Sequence, residues 1–375
     1  MQCRVFNNLV LRRPAVPCGF QPSFPFTPIV SYVRFLHSLA TLGLLLSGLF
    51  LFTNCADDAT DAGSATSTAP ATPPRKGPRP NAKPVPRFDA DSAYAYVAKQ
   101  VAFGPRVMNT AAHDATAEWL VDKLKAFGAE VEEQKFTVAA YDGTPLKSNN
   151  IIGRYKPELT DRIALAAHWD TRPVADSKLE DDPNAVVEGA DDGASGVGVL
   201  LEIARQLGMS TPDIGVDIIL FDAEDYGQSG EEGGAETYGL GSQYWSRNLP
   251  EKRPRYGILL DMVGAKGARF AKEGFSMQAA PQLVDRVWKL AADMNFGTYF
   301  PDIKQRPITD DHYFVNTIAR IPMIDIINFS SDTDSGFVPH WHTGDDGMDV
   351  IDKETLRAVG QVVTAVVYRD AAGTF

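Results

Sequence analysis

A chain of 375 residues that is 44% apolar and 22% charged has the make-up of a globular protein, long enough for one large domain or two small ones. Its 36 basic against 48 acidic residues leave a formal charge of −12, which argues against the basic face that a nucleic-acid binder needs to neutralise phosphates. All three cysteines, Cys3, Cys18 and Cys55, fall at the front of the chain, so the rest can hold neither a disulfide nor a thiolate-bound metal.

An almost unbroken apolar run extends from Phe35 to Phe52, preceded by Arg34 and closed by Thr53, Asn54 and Cys55. That order resembles a lipoprotein signal peptide, whose cysteine becomes the lipidated first residue of the mature protein, although Asn54 stands where a small residue is usual. A transmembrane anchor is the alternative, since about 18 apolar residues can just span a bilayer. Both readings place the body of the protein outside the cytoplasm, and the first makes it periplasmic or cell-surface, lipid-anchored at Cys55. Residues 1–32 fit neither a signal nor a domain, and initiation near Val33 would give a signal peptide of ordinary length. Residues 56–87 are rich in Ala, Ser, Thr and Pro with hardly a bulky apolar side chain. Such a segment cannot offset its backbone entropy by burial and reads as a flexible linker. The expected organisation is therefore a leader over 1–55, a linker over 56–87 and one domain over 88–375.

Within the domain, helices are expected over 91–103 and 110–127, the second stopped by Gly128. Strands over 131–141, 149–155 and 162–170 follow, then a helix over 195–208, a strand over 216–225 and a helix over 241–249. A strand over 255–264, a helix over 282–294, a strand over 322–329 and a last helix over 352–370 complete the series. The strands around Leu165, Ile218 and Leu259 show little apolar–polar alternation, as expected of a sheet covered on both faces. The fold class is α/β: a three-layer α/β/α sandwich with a mixed, mainly parallel central sheet.

In such sheets ligands bind beyond the carboxyl ends of the strands, and polar residues gather there. His168 and Asp170 follow one apolar strand, Asp222, Glu224 and Asp225 another, and Asp261 a third; Asp191 and Asp192 head a helix and His342 lies near the end. Each alone is more often a cap or a satisfied turn residue. Several carboxylates at one sheet edge are costly unless a divalent cation relieves them, and zinc suits a mixed oxygen and imidazole set.

The order His168-Trp169-Asp170, Asp191-Asp192-Gly193, Glu224-Asp225, Asp261-Met262, Asp310-Asp311-His312 and His342-Thr343 resembles the zinc-dependent aminopeptidase superfamily, and within it the glutaminyl cyclases. The resemblance covers the chain from about Val101 to Tyr368. It implies one zinc ion held by Asp191, Asp225 and His342, with Glu224 as general acid/base. Glutaminyl cyclases have Asp-Asp-His where the aminopeptidases typically have Ser-Asp-His, and this chain carries the former at Asp310. They also place a tryptophan before the last ligand histidine, matching Trp341, with Phe337 four residues upstream. Asp261 and Asp310 are implied partners of the acid/base. Relatives usually carry Glu-Glu where this chain has Glu224-Asp225, and their tryptophan shortly after that pair has no counterpart; a Gly-rich insertion stands there, leaving Trp169 or Trp245 as candidate wall residues.

The implied function is a glutaminyl-peptide cyclotransferase that converts an N-terminal glutamine of peptides or proteins to pyroglutamate and releases ammonia. The alternative is a zinc aminopeptidase of the same fold, in which Glu224 activates water and His168 and Asp261 join the ligands of a second zinc. A non-catalytic peptide-binding lipoprotein is a third reading, against which the complete ligand and acid/base set argues.

Overall fold

The computed structural model describes residues 82–375 apart from 183, 231–232 and 330–332. The expected leader with its apolar run and Cys55, and the linker as far as residue 81, lie outside the described residues. No helix among the described residues is long and apolar enough to cross a membrane. Val85 already packs on the core and Phe88 is buried, its amide donating to Gln361 Oε1 (2.9 Å).

Helices α1 (Ala90–Val101) and α2 (Ala111–Ala126) lead, opened by the side chains of Asp89 and Thr110, which accept from the amides of their first turns. Gly128 at φ +82° ends the second in the left-handed region that favours glycine. Two long antiparallel strands follow, β1 (Glu130–Ala139) and β2 (Pro145–Tyr155), joined by a turn in which Asp142 accepts from Thr144 N (2.8 Å). The expected second strand began only at 149; it starts earlier because β1, at the sheet edge, pairs along its whole length with β2.

The remaining strands are β3 (Arg162–His168), β4 (Gly215–Phe221), β5 (Gly257–Asp261) and β6 (Met323–Ile327), and the sheet order is β1-β2-β4-β3-β5-β6. β2 pairs antiparallel with β4, whereas β4, β3, β5 and β6 run parallel, so the sheet is mixed and mainly parallel. Helices lie on both faces. On one, α1, α2, α3 (Ala194–Met209), α6 (Pro281–Asp293) and α8 (Lys353–Ala372) cover Ile163, Leu165, Ala167, Ile218 and Leu260. On the other, α4 (Leu240–Arg247), through Trp245, and the turn around Val315 cover Ala164, Ala166, Ile219 and Leu259. Alternate residues of one strand thus enter two different cores, which is why the sequence shows no alternation.

Two short helices escape the sequence reading, α5 (Gly274–Ala279) and α7 (Asp311–Phe314), since neither is long enough to show a helical period. They are held by capping. Glu273 accepts from Phe275 N (2.7 Å), Ser276 N (2.6 Å) and Ile308 N (2.9 Å), and its Oε2 lies 3.0 Å from His312 Nε2 on α7. Parallel β4, β3, β5 and β6 end at one edge in register, His168 beside Phe221 and Asp261 beside Ile327, so the residues that follow these strands meet there.

Burial alone would raise the Glu273 carboxyl, but the hydrogen bond and charge of His312 and the two helix amides outweigh it and bring it down to about 2. A carboxyl lowered on folding contributes stability above its unfolded value near 4.5, and that contribution is lost as pH falls toward 2. Glu273→Gln should therefore lower the unfolding free energy at pH 7 by roughly 3 kcal/mol, and the gap to the unmodified protein should shrink on acidification. Urea unfolding of both proteins at pH 7 and pH 3.5 checks this; an equal gap at both values rules it out.

Candidate active site

Asp170, two residues past the end of β3, is fully buried, and its oxygens accept from the amides of Glu224 and Asp225, both at 3.1 Å. The acidic pair beyond β4 is thereby fixed to the end of β3. Ala223, at φ +52°, turns the chain so that Glu224 and Asp225 face a common cavity.

Asp225 and His342 come together, with His342 Nε2 3.0 Å from Asp225 Oδ1. The third carboxylate beside them is that of Asp192, whose Oδ2 lies 3.8 Å from the same nitrogen. Asp191, the residue expected there, points the other way: its carboxylate accepts from Gly264 N (2.7 Å) and pairs with His340 Nε2 (2.9 Å). Consecutive side chains on this turn diverge, and Asp346 accepts from both their amides, 2.8 Å to Asp191 and 3.1 Å to Asp192. Gly193 packs flat on the His168 imidazole, which a Cβ there would strike. Arg106, fully buried, ties the same loop to the end of β3 through the carbonyls of Trp169 (3.3 Å), Glu188 (2.5 Å) and Gly189 (2.7 Å).

The trio Asp192, Asp225 and His342 fits a zinc ion on its own chemistry. All three are buried, their ligand atoms lie within 4.8 Å of one another, and Asp225 Oδ2 has no hydrogen-bond donor. His342 Nδ1 is taken by Asp176 (3.0 Å), which leaves Nε2 for a metal, the support that ligand histidines ordinarily have. Arg172 in turn grips Asp176 (2.5 Å) and the carbonyls of Asp225 (2.9 Å) and Gly227 (2.8 Å). Asp225, although one methylene shorter than glutamate, comes within 3.0 Å of His342 Nε2.

A second group of ligand type shares Asp192. His168 Nε2 lies 2.9 Å from Asp192 Oδ1 and 3.3 Å from Asp261 Oδ1, and its Nδ1 faces Asp170 at 3.4 Å. Burial works against a charged imidazole, yet these three carboxylates hold the His168 pKa well above its ordinary value.

Glu224 sits at the cavity wall with its carboxyl raised well above the usual range. Burial is the main cause; the charge of His168 offsets part of it, and Asp225, Asp310 and Asp311 add to it. Asp261 is pushed up to about 8 by burial, against its hydrogen bond to His168 and with the help of Asp192 and Asp310. Asp310 caps α7 by accepting from Asp311 N, while its other oxygen has no donor. Behind it lies Asp325, fully buried with both oxygens lacking donors, its carboxyl raised well above the usual range by burial and then by Asp310 and Asp261.

The cavity has a volume of about 610 Å³, and Glu224, Asp261 and Asp310 line its polar part. Its apolar part is a stack: Phe337 lies on Trp341 (4.4 Å, 19°) and Trp341 on His342 (3.7 Å, 19°). Trp169 and Trp245 do not line this cavity. Trp169 is fully buried against His113 (4.3 Å) and Trp245 against Phe221 (5.9 Å), because each belongs to the covering of the sheet. The wall beyond the acidic pair is instead Tyr238, on the far side of the Gly-rich insertion, with Phe275 and Tyr313 opposite. Sequence reasoning missed Asp176, Arg172 and Arg106, whose loops carry no motif, and Tyr238, for which an aromatic following the insertion was the available signal.

The sequence profile of Peptidase family M28 matches residues 150–367. Among solved structures, a Zn-dependent exopeptidase from Parabacteroides distasonis is 51% identical, covering 76% of this chain and 99% of that one, with a TM-score of 0.74. A Bacteroides thetaiotaomicron glutaminyl cyclase bound to N-acetylhistamine is 53% identical over the same 76% of this chain and 99% of its own, with a TM-score of 0.73. Aminopeptidase YwaD of Bacillus subtilis is 28% identical over 64% of this chain, and the match spans only 48% of that relative's length. With a profile match over more than half of its residues, a six-stranded mixed sheet and a buried carboxylate–imidazole cluster at the strand ends, this chain belongs to peptidase family M28, a family whose likeness to Zn-dependent exopeptidases implies zinc.

Proposed function

We propose that the chain is a glutaminyl-peptide cyclotransferase that uses one zinc ion, held by Asp192, Asp225 and His342. The observation that carries this reading is the stack of Phe337, Trp341 and His342, which sets an apolar wall directly against the proposed ligand histidine in the cavity that Glu224 also lines. The 53% identity with a glutaminyl cyclase over 76% of this chain supports it.

Bound zinc would supply Lewis-acid polarisation of the γ-carboxamide oxygen of an N-terminal glutamine. Glu224, kept basic by burial among carboxylates, takes a proton from the α-amine, whose pKa is near about 8, as the amine nitrogen attacks the γ-carbon. The same carboxyl then gives that proton to the departing nitrogen, so that the C–N bond of the ring forms, the carboxamide C–N bond breaks and ammonia leaves. Asp261 and Asp310, which line the same cavity, are placed to accept from the amine's remaining N–H and fix its direction. Met262, Ile308 and Ile327, together with the aromatic stack, keep out the water that would turn the site toward hydrolysis. One ion is proposed rather than two in keeping with the glutaminyl cyclase resemblance, with His168 paired to Asp170, Asp192 and Asp261.

A second reading rests on that same group. If His168 gave up its proton, His168, Asp192 and Asp261 would form a further metal site, as a two-zinc aminopeptidase requires. The leader supports a further proposal, export with a lipid anchor on Cys55. Labelling of the expressed protein with radioactive palmitate, and its disappearance in Cys55→Ala, tests the anchor; label retained by the variant refutes it.

Glu224→Gln should lower ammonia release from Gln-Ala by 10²–10⁴-fold, roughly the range of a lost general acid/base, with zinc still bound. The unmodified protein should leave Leu-Ala intact, and free leucine in the assay would transfer the assignment to the peptidase reading. Elemental analysis should find one zinc per chain, lost in Asp192→Asn and in His342→Gln but present in Asp191→Asn. Zinc lost only in the last of these would restore Asp191 as the ligand.

A further inference from the structure

The cavity that takes the glutamine is lined by the carboxylates of Asp192, Glu224, Asp225, Asp261 and Asp310, and the exposed Arg306 also lines it. Arg306 is the one lysine or arginine among the described lining residues. Its guanidinium faces the ring of Phe337 at 5.5 Å and that of Phe329 at 5.6 Å, and its Nη2 donates to Gly336 O (3.0 Å). Gly336, at φ +76°, leaves the space over which the guanidinium lies; a Cβ there would come within 2.7 Å of Nη2. No carboxylate among the described residues pairs with it, although Arg154, Arg162, Arg172, Arg205, Arg255 and Arg357 each have one. An exposed guanidinium that is held in place by a carbonyl and two rings, and left without a counter-ion, is prepared for an anion that arrives from outside.

Its position along the stack fixes which part of a peptide it meets. Phe337 separates it from Trp341, and Trp341 lies on the ligand histidine, ring to ring at 4.4 and 3.7 Å. An extended peptide advances about 3.3–3.6 Å per residue. A glutamine side chain buried against Trp341 therefore leaves the second or third residue passing the guanidinium.

We propose that Arg306 selects peptides bearing a carboxylate two or three residues from the N-terminus, either an acidic side chain or the free carboxyl end of a short peptide. This rests on the cyclase reading for the glutamine but not for the charge preference itself. The α-ammonium end of such a substrate meets the carboxylates of the cavity and its carboxylate meets the guanidinium, so each charge of the peptide faces one of opposite sign.

The test compares Gln-Ala-Ala-amide, Gln-Glu-Ala-amide, Gln-Lys-Ala-amide and Gln-Ala-Ala with a free carboxyl, each by turnover and by calorimetric binding to the zinc-loaded protein. The unmodified protein should bind the Glu peptide, the free acid or both about two- to fivefold more tightly than the neutral amide, the range for an exposed ion pair. The preference should appear in KM rather than kcat and fade in high salt. Arg306→Gln should bring the ratio to one, and Arg306→Glu should turn it toward the Lys peptide. An equal loss for all four peptides in Arg306→Gln would make the residue structural and overturn the proposal, as would equal affinities in the unmodified protein. If none of the peptides is cyclised, the cyclase reading fails, and the binding ratios still decide the role of Arg306.

Discussion

Carboxylates kept out of water at the edge of the sheet set the terms for the rest of the molecule. Asp170, Asp191, Asp192, Asp222, Glu224, Asp225, Asp261, Asp310, Asp311, Asp325 and Asp346 are all buried. Such a number of negative groups in a poorly solvated space is unfavourable unless each finds a proton, an imidazole, a row of amides or a metal. Imidazoles and amides meet part of this need. Asp170 and Asp346 are satisfied by amides, Asp191 by His340 and Asp222 by His113, whereas Asp225, Asp261, Asp310, Asp311 and Asp325 keep oxygens without donors, and of the carboxylates Asp192 and Asp225 flank the His342 imidazole in an arrangement suited to a cation.

Cations that do not react secure this arrangement from behind. Arg106 joins the turn of Asp192 to the end of β3, and Arg172 joins Asp176 to the backbone of Asp225. Both guanidinium groups bind carbonyl oxygens in several directions at once, which an ammonium group could do less rigidly. The proposed zinc ligands are therefore positioned through second contacts drawn from loops far apart in the chain, an arrangement that ligand histidines and carboxylates generally need.

Much of this was legible in the sequence, and the limits have physical causes. The long helices and buried strands show because their periods run over many residues; α3, expected over 195–208, spans Ala194–Met209. α5 and α7 are capped single turns that no period reveals. Glu224, Asp225 and His342 were found because an apolar strand or a known motif points to them. Asp191 and Asp192 could not be told apart, since the direction of each side chain depends on the turn and on Asp346, far along the chain. Trp169 and Trp245 were candidates for the wall because sequence gives an aromatic residue but not its face. The packing of α4 on the sheet and the turn after β3 decide that, and both side chains go inward.

The carboxylate of Asp170 holds two adjacent amides, one belonging to the residue proposed to move protons and the other to a residue proposed to grip the ion. The two tasks are consequently mounted on a single bracket. A change that loosens this bracket displaces both together, so selection acting on the strength of metal retention also sets the aim of the base, and neither property is free to drift without the other.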